Sequence, residues 1–399
     1  MFSESTSKEN RLQTAAIGTT NPLKALADFG QSVWLDYIRR SLIASGELQR
    51  LLDDDGLRGV TSNPAIFEKA ITGSTDYADV LDSLHAQNLD AKSAYEQLAI
   101  SDIRDAADVL RPLYGASHRR DGYVSLEVSP YLARDTQGTL AEARRLWRSV
   151  ARDNVMIKVP ATPEGIPAFE QLIAEGVNVN VTLLFSQTAY EHVAQAYLTG
   201  MERFAAAGGG LDRVASVASF FVSRIDTAID ALISARLKSG ADSPHADLLR
   251  SLLGKVAIAN AKLAYQLYRE LFGGARWAAL AAKGAQTQRV LWASTGTKNP
   301  SYRDVVYVEE LIGPDTVNTI PPATFEAFRD HGCVRPSLTE GIEAARGTMD
   351  ALARVGISME QVTGKLLDEG LLLFSEAFDK LLSAVDSHCG SPSTLPVNR

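Results

Sequence analysis

VNVNVTLL (Val177–Leu184) alternates small apolar and polar side chains with a period of two. In an extended strand successive side chains face opposite sides, so Asn178, Asn180 and Thr182 share one face while Val177, Val179 and Val181 share the other. The same holds for YVSLEV (Tyr123–Val128), where Ser125 and Glu127 oppose Val124, Leu126 and Val128. In an open α/β sheet apolar helices cover both faces, and a polar stripe would be buried at about 1–3 kcal/mol per unpaired group. A strand that closes a barrel can turn the stripe toward a polar interior. This pattern therefore favours a closed barrel over a doubly wound sheet.

Working outward, eight runs rich in Val, Ile, Phe and Thr are expected as strands: Val33–Ile38, Gly59–Ser62, Tyr123–Val128, Val155–Val159, Val177–Leu184, Arg213–Val222, Arg289–Ser294 and Thr316–Ile320. Stretches with apolar residues at helical spacing separate them, such as Ala94–Tyr114, Thr139–Asp153 and Ser186–Ala206. Strand then helix, repeated eight times, predicts a (β/α)8 TIM-type barrel with extra helices. Long helical insertions are expected between the second and third strands and between the sixth and seventh, and Leu338–Val385 reads as two or more further helices. Residues 1–20 and 389–399 are polar or turn-rich and are expected to be flexible, leaving 21–388 as a single domain. No strand run is followed by GxGxxG or GxxxxGK[ST], the phosphate loops of open nucleotide-binding sheets.

A net charge of −8 and 45% apolar content over 399 residues argue for a large core and against a general nucleic-acid coat. The opening residues lack the apolar stretch of a signal peptide, and no later run reads as a membrane span, so a cytoplasmic protein is expected. Cys333 and Cys389 are far apart with no CxxC pair, and the six histidines fall outside the strand ends, so neither a disulfide framework nor a metal site is expected. Between monomer and homodimer the sequence does not choose.

The carboxyl ends of barrel strands converge on one mouth. The polar residues there are Asp36, Asn63, Glu127, Lys158, Asn180 with Thr182, Ser219 with Arg224, and Ser294 through Lys298. Lys158 stands out in VMIKVPAT (Val155–Thr162), where apolar neighbours desolvate an amine and favour its neutral, attacking form. A lone strand lysine more often carries its charge to water or pairs with a carboxylate, but one amine, two carboxylates and several hydroxyls are the parts needed for imine chemistry. Other residues have structural readings too, strongest for Asn63 and Thr182 and weaker for Asp36 and Glu127, since a carboxylate within an apolar strand costs energy unless paired or solvated. Asn63 before Pro64 suits a helix N-cap. Thr182 is ordinary strand composition, Asp36 and Glu127 suit ion pairs with Arg58 or Lys158, and Arg224 suits a surface salt bridge.

Six motifs give the resemblance: VWLDYI with Asp36, GVTSNPAIF, SLEVSP, IKVPAT, NVNVTLLFS and FFVSRID. Their order and spacing, from about Asp28 to Pro322, resemble the transaldolase family, especially its longer bacterial members. The resemblance implies that Lys158 forms a Schiff base with a donor ketose and that the protonated imine is the electron sink for carbon–carbon cleavage. A dihydroxyacetone unit would pass from sedoheptulose 7-phosphate to glyceraldehyde 3-phosphate in the non-oxidative pentose phosphate pathway, giving erythrose 4-phosphate and fructose 6-phosphate without a cofactor. It further implies Asp36 as acid/base for the carbon–carbon step, and Glu127 with Thr182 acting through an ordered water. Asn63 and Asn180 would hold hydroxyls of the bound fragment, and Ser219 with Arg224 the phosphate. Shorter members carry a second phosphate-binding arginine after the seventh strand. WASTGTKNP offers Lys298 there instead, with Arg303 a few residues on, and Lys298 is assigned to the phosphate. The rival readings are a Schiff-base aldolase that releases its fragment to water and a non-catalytic barrel scaffold.

Overall fold

The computed structural model describes residues 21–240 and 243–390. The expected leader 1–20 and residues 391–399 of the expected tail lie outside the described residues, whereas Cys389 and Gly390 belong to the end of the last helix. Eight parallel strands pair in chain order and close into a barrel, with β1 bonded to both β2 and β8. They are β1 Gln31–Leu35, β2 Gly59–Val60, β3 Tyr123–Glu127, β4 Val155–Pro160, β5 Val179–Leu184, β6 Ser216–Phe221, β7 Arg289–Ala293 and β8 Thr316–Ile320. Every strand residue except Glu127 is buried.

Several strands are shorter than their apolar runs, for local reasons. The run from Val177 loses its first two residues because Asn178 replaces the ladder with its side chain: its Oδ1 accepts from Ala215 N–H, and its Nδ2 donates to the Asp153 and Val155 carbonyls. The run from Arg213 begins in a single 3₁₀ turn, Leu211–Arg213, so the strand starts at Ser216. β2 stops at Val60 because the chain turns into a helix capped by Asn63. Its Gly59 is required by close approach: a Cβ there would sit 2.5 Å from the Trp34 ring of β1.

The helices follow the expected pattern with caps the periodicity did not locate. Ala91–Ala116 starts on Asp90, Thr136–Val150 on Asp135 and Gln187–Ala206 on Ser186, each side chain accepting a backbone N–H from the first turn. Ala151, in the left-handed region at φ 52°, ends the second of these three residues earlier than expected. The insertion after β2 holds helices Pro64–Thr72 and Ala78–His85 as well as Ala91–Ala116. The one after β6 holds Ser223–Ser239, Ala246–Leu252, Val256–Leu271 and Ala275–Ala281.

After β8 and the helix Pro322–His331 come Ile342–Arg354 and the long helix Met359–Gly390. This last helix packs against Pro64–Thr72, Ala78–His85, Ala91–Ala116 and Ser223–Ser239. Phe378, Leu381 and Val385 are its buried anchors, and Phe378 meets Tyr95 and Tyr131 edge-on at 5.6 and 5.4 Å. The helix thereby reaches across the mouth into which the strand ends point.

Candidate active site

The carboxyl ends of the strands open into a cavity of about 480 Å³. Seven of the residues expected to act are in its wall: Asp36, Asn63, Lys158, Thr182, Ser219, Arg224 and Lys298. They come from the ends of six strands, β1, β2, β4, β5, β6 and β7, which only closure of the barrel brings together.

Lys158 lies on β4 and is 5% exposed. Its amine donates to the Ser62 carbonyl at 3.2 Å and stands 3.3 Å from Glu127 Oε2. Strand register explains the pairing, because Glu127 and Lys158 are opposite one another on β3 and β4. The contact is an ion pair without the alignment of a hydrogen bond, so Oε2 has no donor of its own among the described residues. Glu127 is not in the cavity wall but behind the amine, toward Tyr95 and Phe378. Burial pushes its carboxyl up from the usual range, Lys158 pulls it back, and Asp36 adds to the rise.

Asp36 follows β1 directly. Its Oδ1 accepts from Thr61 Oγ1 at 2.6 Å, and Thr61 Oγ1 lies a further 2.6 Å from Thr319 Oγ1. A hydroxyl has one proton, so with Thr61 donating to Asp36 the Thr319 hydroxyl donates to Thr61. Burial raises the Asp36 carboxyl, opposed by Lys158, by the Thr61 hydrogen bond, and by Lys298 and Arg224.

Thr182 sits at an irregularity in β5. The register with β6 shifts between Val181 and Leu184, and Leu183 takes φ 61°. Such a bulge breaks the alternation and re-aims the side chain before it. Thr182 Oγ1 is buried and has no hydrogen-bond partner among the described residues. Asn180, in contrast, does not line the cavity. Its Nδ2 donates to Ser125 Oγ and its Oδ1 accepts from Ser219 Oγ at 2.7 Å, one layer deeper. Ser219 is in the wall, so Asn180 reaches the cavity through it. Asn63 is the helix cap that its place before Pro64 suggests: its Oδ1 accepts from Ile66 N–H at the start of Pro64–Thr72, and the residue also lines the cavity.

Arg224 opens the helix Ser223–Ser239, stacked 5.3 Å from the Phe221 ring. It makes no ion pair or hydrogen bond among the described residues, so the surface salt bridge is not where the guanidinium goes. Lys298, exposed at the rim, joins it on the same side of the cavity. Arg303 is turned away, fixed to Glu309 and to the His331 carbonyl. No histidine among the described residues lines the cavity. Tyr37, Thr61, Lys69, Phe221, Thr319 and Phe374 are wall residues that were not anticipated. Thr61 carried a signal, lying two residues before Asn63 at the end of a strand. Phe374 carried none.

Residues 33–385 match the family described as "Transaldolase/Fructose-6-phosphate aldolase". The chain belongs to this family. Relatives named "Transaldolase" agree along almost their whole length. A protein of Trichodesmium erythraeum is 48% identical over 92% of this chain and 97% of its own, and one of Neisseria gonorrhoeae is 48% identical over 89% of this chain and 96% of its own. A "Transaldolase 2" of Nostoc punctiforme is 49% identical over 92% of this chain and 97% of its own. The transaldolase-family match takes in all the strand-end residues described above and the C-terminal helix through Val385, so that helix is part of the shared fold.

Proposed function

We propose that the protein is a transaldolase, moving a dihydroxyacetone unit from a ketose phosphate such as sedoheptulose 7-phosphate to an aldose phosphate such as glyceraldehyde 3-phosphate. The observation that carries the assignment of roles is the buried Lys158 amine held between Glu127 and a cavity that also contains Asp36. The amine attacks the donor carbonyl, and the carbinolamine loses water to give a protonated imine. Glu127, whose burial favours its proton-carrying form, supplies and recovers protons at that nitrogen, with the unpartnered Thr182 hydroxyl holding the water that carries them. Asp36 takes the proton from the hydroxyl of the carbon that departs as the aldehyde. The carbon–carbon bond electrons pass into the imine, leaving an enamine on Lys158, and the acceptor aldehyde then reverses these steps.

Asn63 and Ser219 suit the hydroxyls of the bound fragment, with Asn180 holding Ser219 in place. Because Ser219, and not Asn180, is in the cavity wall, Ser219 takes over the hydroxyl role expected of Asn180 in place of the phosphate role expected of it. Arg224 and Lys298 form the cationic side of the cavity and suit the substrate phosphate, Arg224 as a fork and Lys298 as a point charge. Among the described residues no helix is long and apolar enough to cross a membrane; a reaction on free sugar phosphates suits the cytoplasm, which is the location we propose.

Borohydride added with donor ketose tests the assignment. We expect a covalent adduct on Lys158, and loss of transfer by about 10⁴-fold or more in Lys158→Ala with the circular dichroism spectrum retained. An adduct that maps to another lysine, or turnover in Lys158→Ala, rules the assignment out. Assaying erythrose 4-phosphate against free dihydroxyacetone separates transfer from simple aldol release.

A further inference from the structure

Phe374 is the part of the cavity wall supplied by the C-terminal helix. The ring is nearly buried, at 7% exposure, and its centroid lies 5.7 Å from Lys158 Nζ. Two features of the same helix face hold it there. One turn earlier, Gly370 lets the helix close on β5: a Cβ at that position would stand 3.0 Å from Leu183 Cδ2 and 3.7 Å from Arg224 Nη1. One turn later, Phe378 is wedged between Tyr95 and Tyr131. Positions 370, 374 and 378 lie at the spacing that puts side chains on one helical face. Leu372, on the opposite face, is exposed.

We infer that Phe374 is the water-excluding wall over Lys158, and that it determines how the enamine divides between transfer to a sugar aldehyde and release to water. The inference rests on the transaldolase reading and names a specificity-determining residue within it. Release requires the enamine carbon to take a proton. The resulting iminium then takes up water and the carbon–nitrogen bond breaks, returning the Lys158 amine and free dihydroxyacetone. The first of these events is the one that transfer does not share, and it needs a proton carrier on the cavity side of the enamine carbon, away from the water that Glu127 and Thr182 handle at the nitrogen. The Phe374 ring walls that side with a group that can neither donate a proton nor hold water, and its face, within 6 Å of the nitrogen, favours the cationic imine.

The test is the ratio of free dihydroxyacetone to transfer product, measured on fructose 6-phosphate with erythrose 4-phosphate as acceptor. Both products come from one intermediate, so a smaller fraction of folded enzyme cancels from the ratio. Phe374→Ala is expected to raise the ratio about tenfold, and Phe374→Val by a smaller factor. Phe374→Leu, which keeps most of the bulk, is expected to hold it near the wild-type value. If Phe374→Ala does not fold, Phe374→Val decides. Wild-type ratios in every folded Ala or Val variant overturn the inference while leaving the imine chemistry standing. Failure of borohydride to trap Lys158 in the wild type instead removes the reading beneath it.

Discussion

Thr61 donates a 2.6 Å hydrogen bond to Asp36, and Thr319 stands behind it at the same distance. Three hydroxyl and carboxyl groups from the ends of β1, β2 and β8 thus form a chain ending on the carboxylate proposed to break the carbon–carbon bond. Burial favours the protonated form of Asp36, and the Thr61 donor works against that. In Thr61→Val the donor is gone and the Asp36 pKa rises further. The acid limb of the rate against pH is expected to move to higher pH, with turnover near neutrality about tenfold lower. An unmoved limb would show that Thr61 does not act on the titrating group.

Among the described residues Arg224 touches the Phe221 ring but makes no hydrogen bond or ion pair, so its removal should act on substrate more than on the fold. Arg224→Ala is expected to raise the KM for phosphorylated donors about ten- to a hundredfold, the scale of a charge-assisted hydrogen bond. Turnover of unphosphorylated dihydroxyacetone donors should change far less. Equal losses on both substrate classes would remove Arg224 from the phosphate site.

Two residues along the same helix, Asp226 is buried and accepts from Ala257 N–H and from the Tyr307 hydroxyl. Burial pushes its carboxyl up to about 6, partly opposed by those two hydrogen bonds, with Asp230 adding to the rise. Its folded-state pKa lies above the unfolded value, so the folded protein binds this proton more tightly. The contribution to stability is therefore complete below about pH 4 and is lost as pH rises through about 6, a change of about 3 kcal/mol. In Asp226→Asn, where the Tyr307 hydroxyl can turn to accept from the amide, this component disappears. Denaturant unfolding at a series of pH values should show the wild-type advantage over the variant shrinking by about that amount between pH 4 and 7. Parallel curves would contradict the titration.

The sequence disclosed which face of a strand is polar, but not how deep along the barrel each polar residue falls. Asp36, Lys158 and Ser219 can be placed at the mouth because they stand near the carboxyl ends of strands whose periodicity is clear. Asn180 shares its strand face with Thr182, yet it lies a layer lower and is occupied by Ser125 and Ser219. Glu127 was recognised as one of the two acids, while its position behind Lys158 depends on the register of β3 against β4. Strand ends such as Asn178 were misread where a side chain takes over the backbone's hydrogen bonds, which an apolar count does not register. Phe374 was out of reach altogether: its neighbour Lys158 is more than two hundred positions away in the chain, and nothing in an amphipathic helix says which ring will meet an amine.

The helix Met359–Gly390 also gives the protein an order of completion. A ribosome makes all eight strands, Lys158 and both acids before it reaches position 374, so the wall over the amine is the latest-made part of the site.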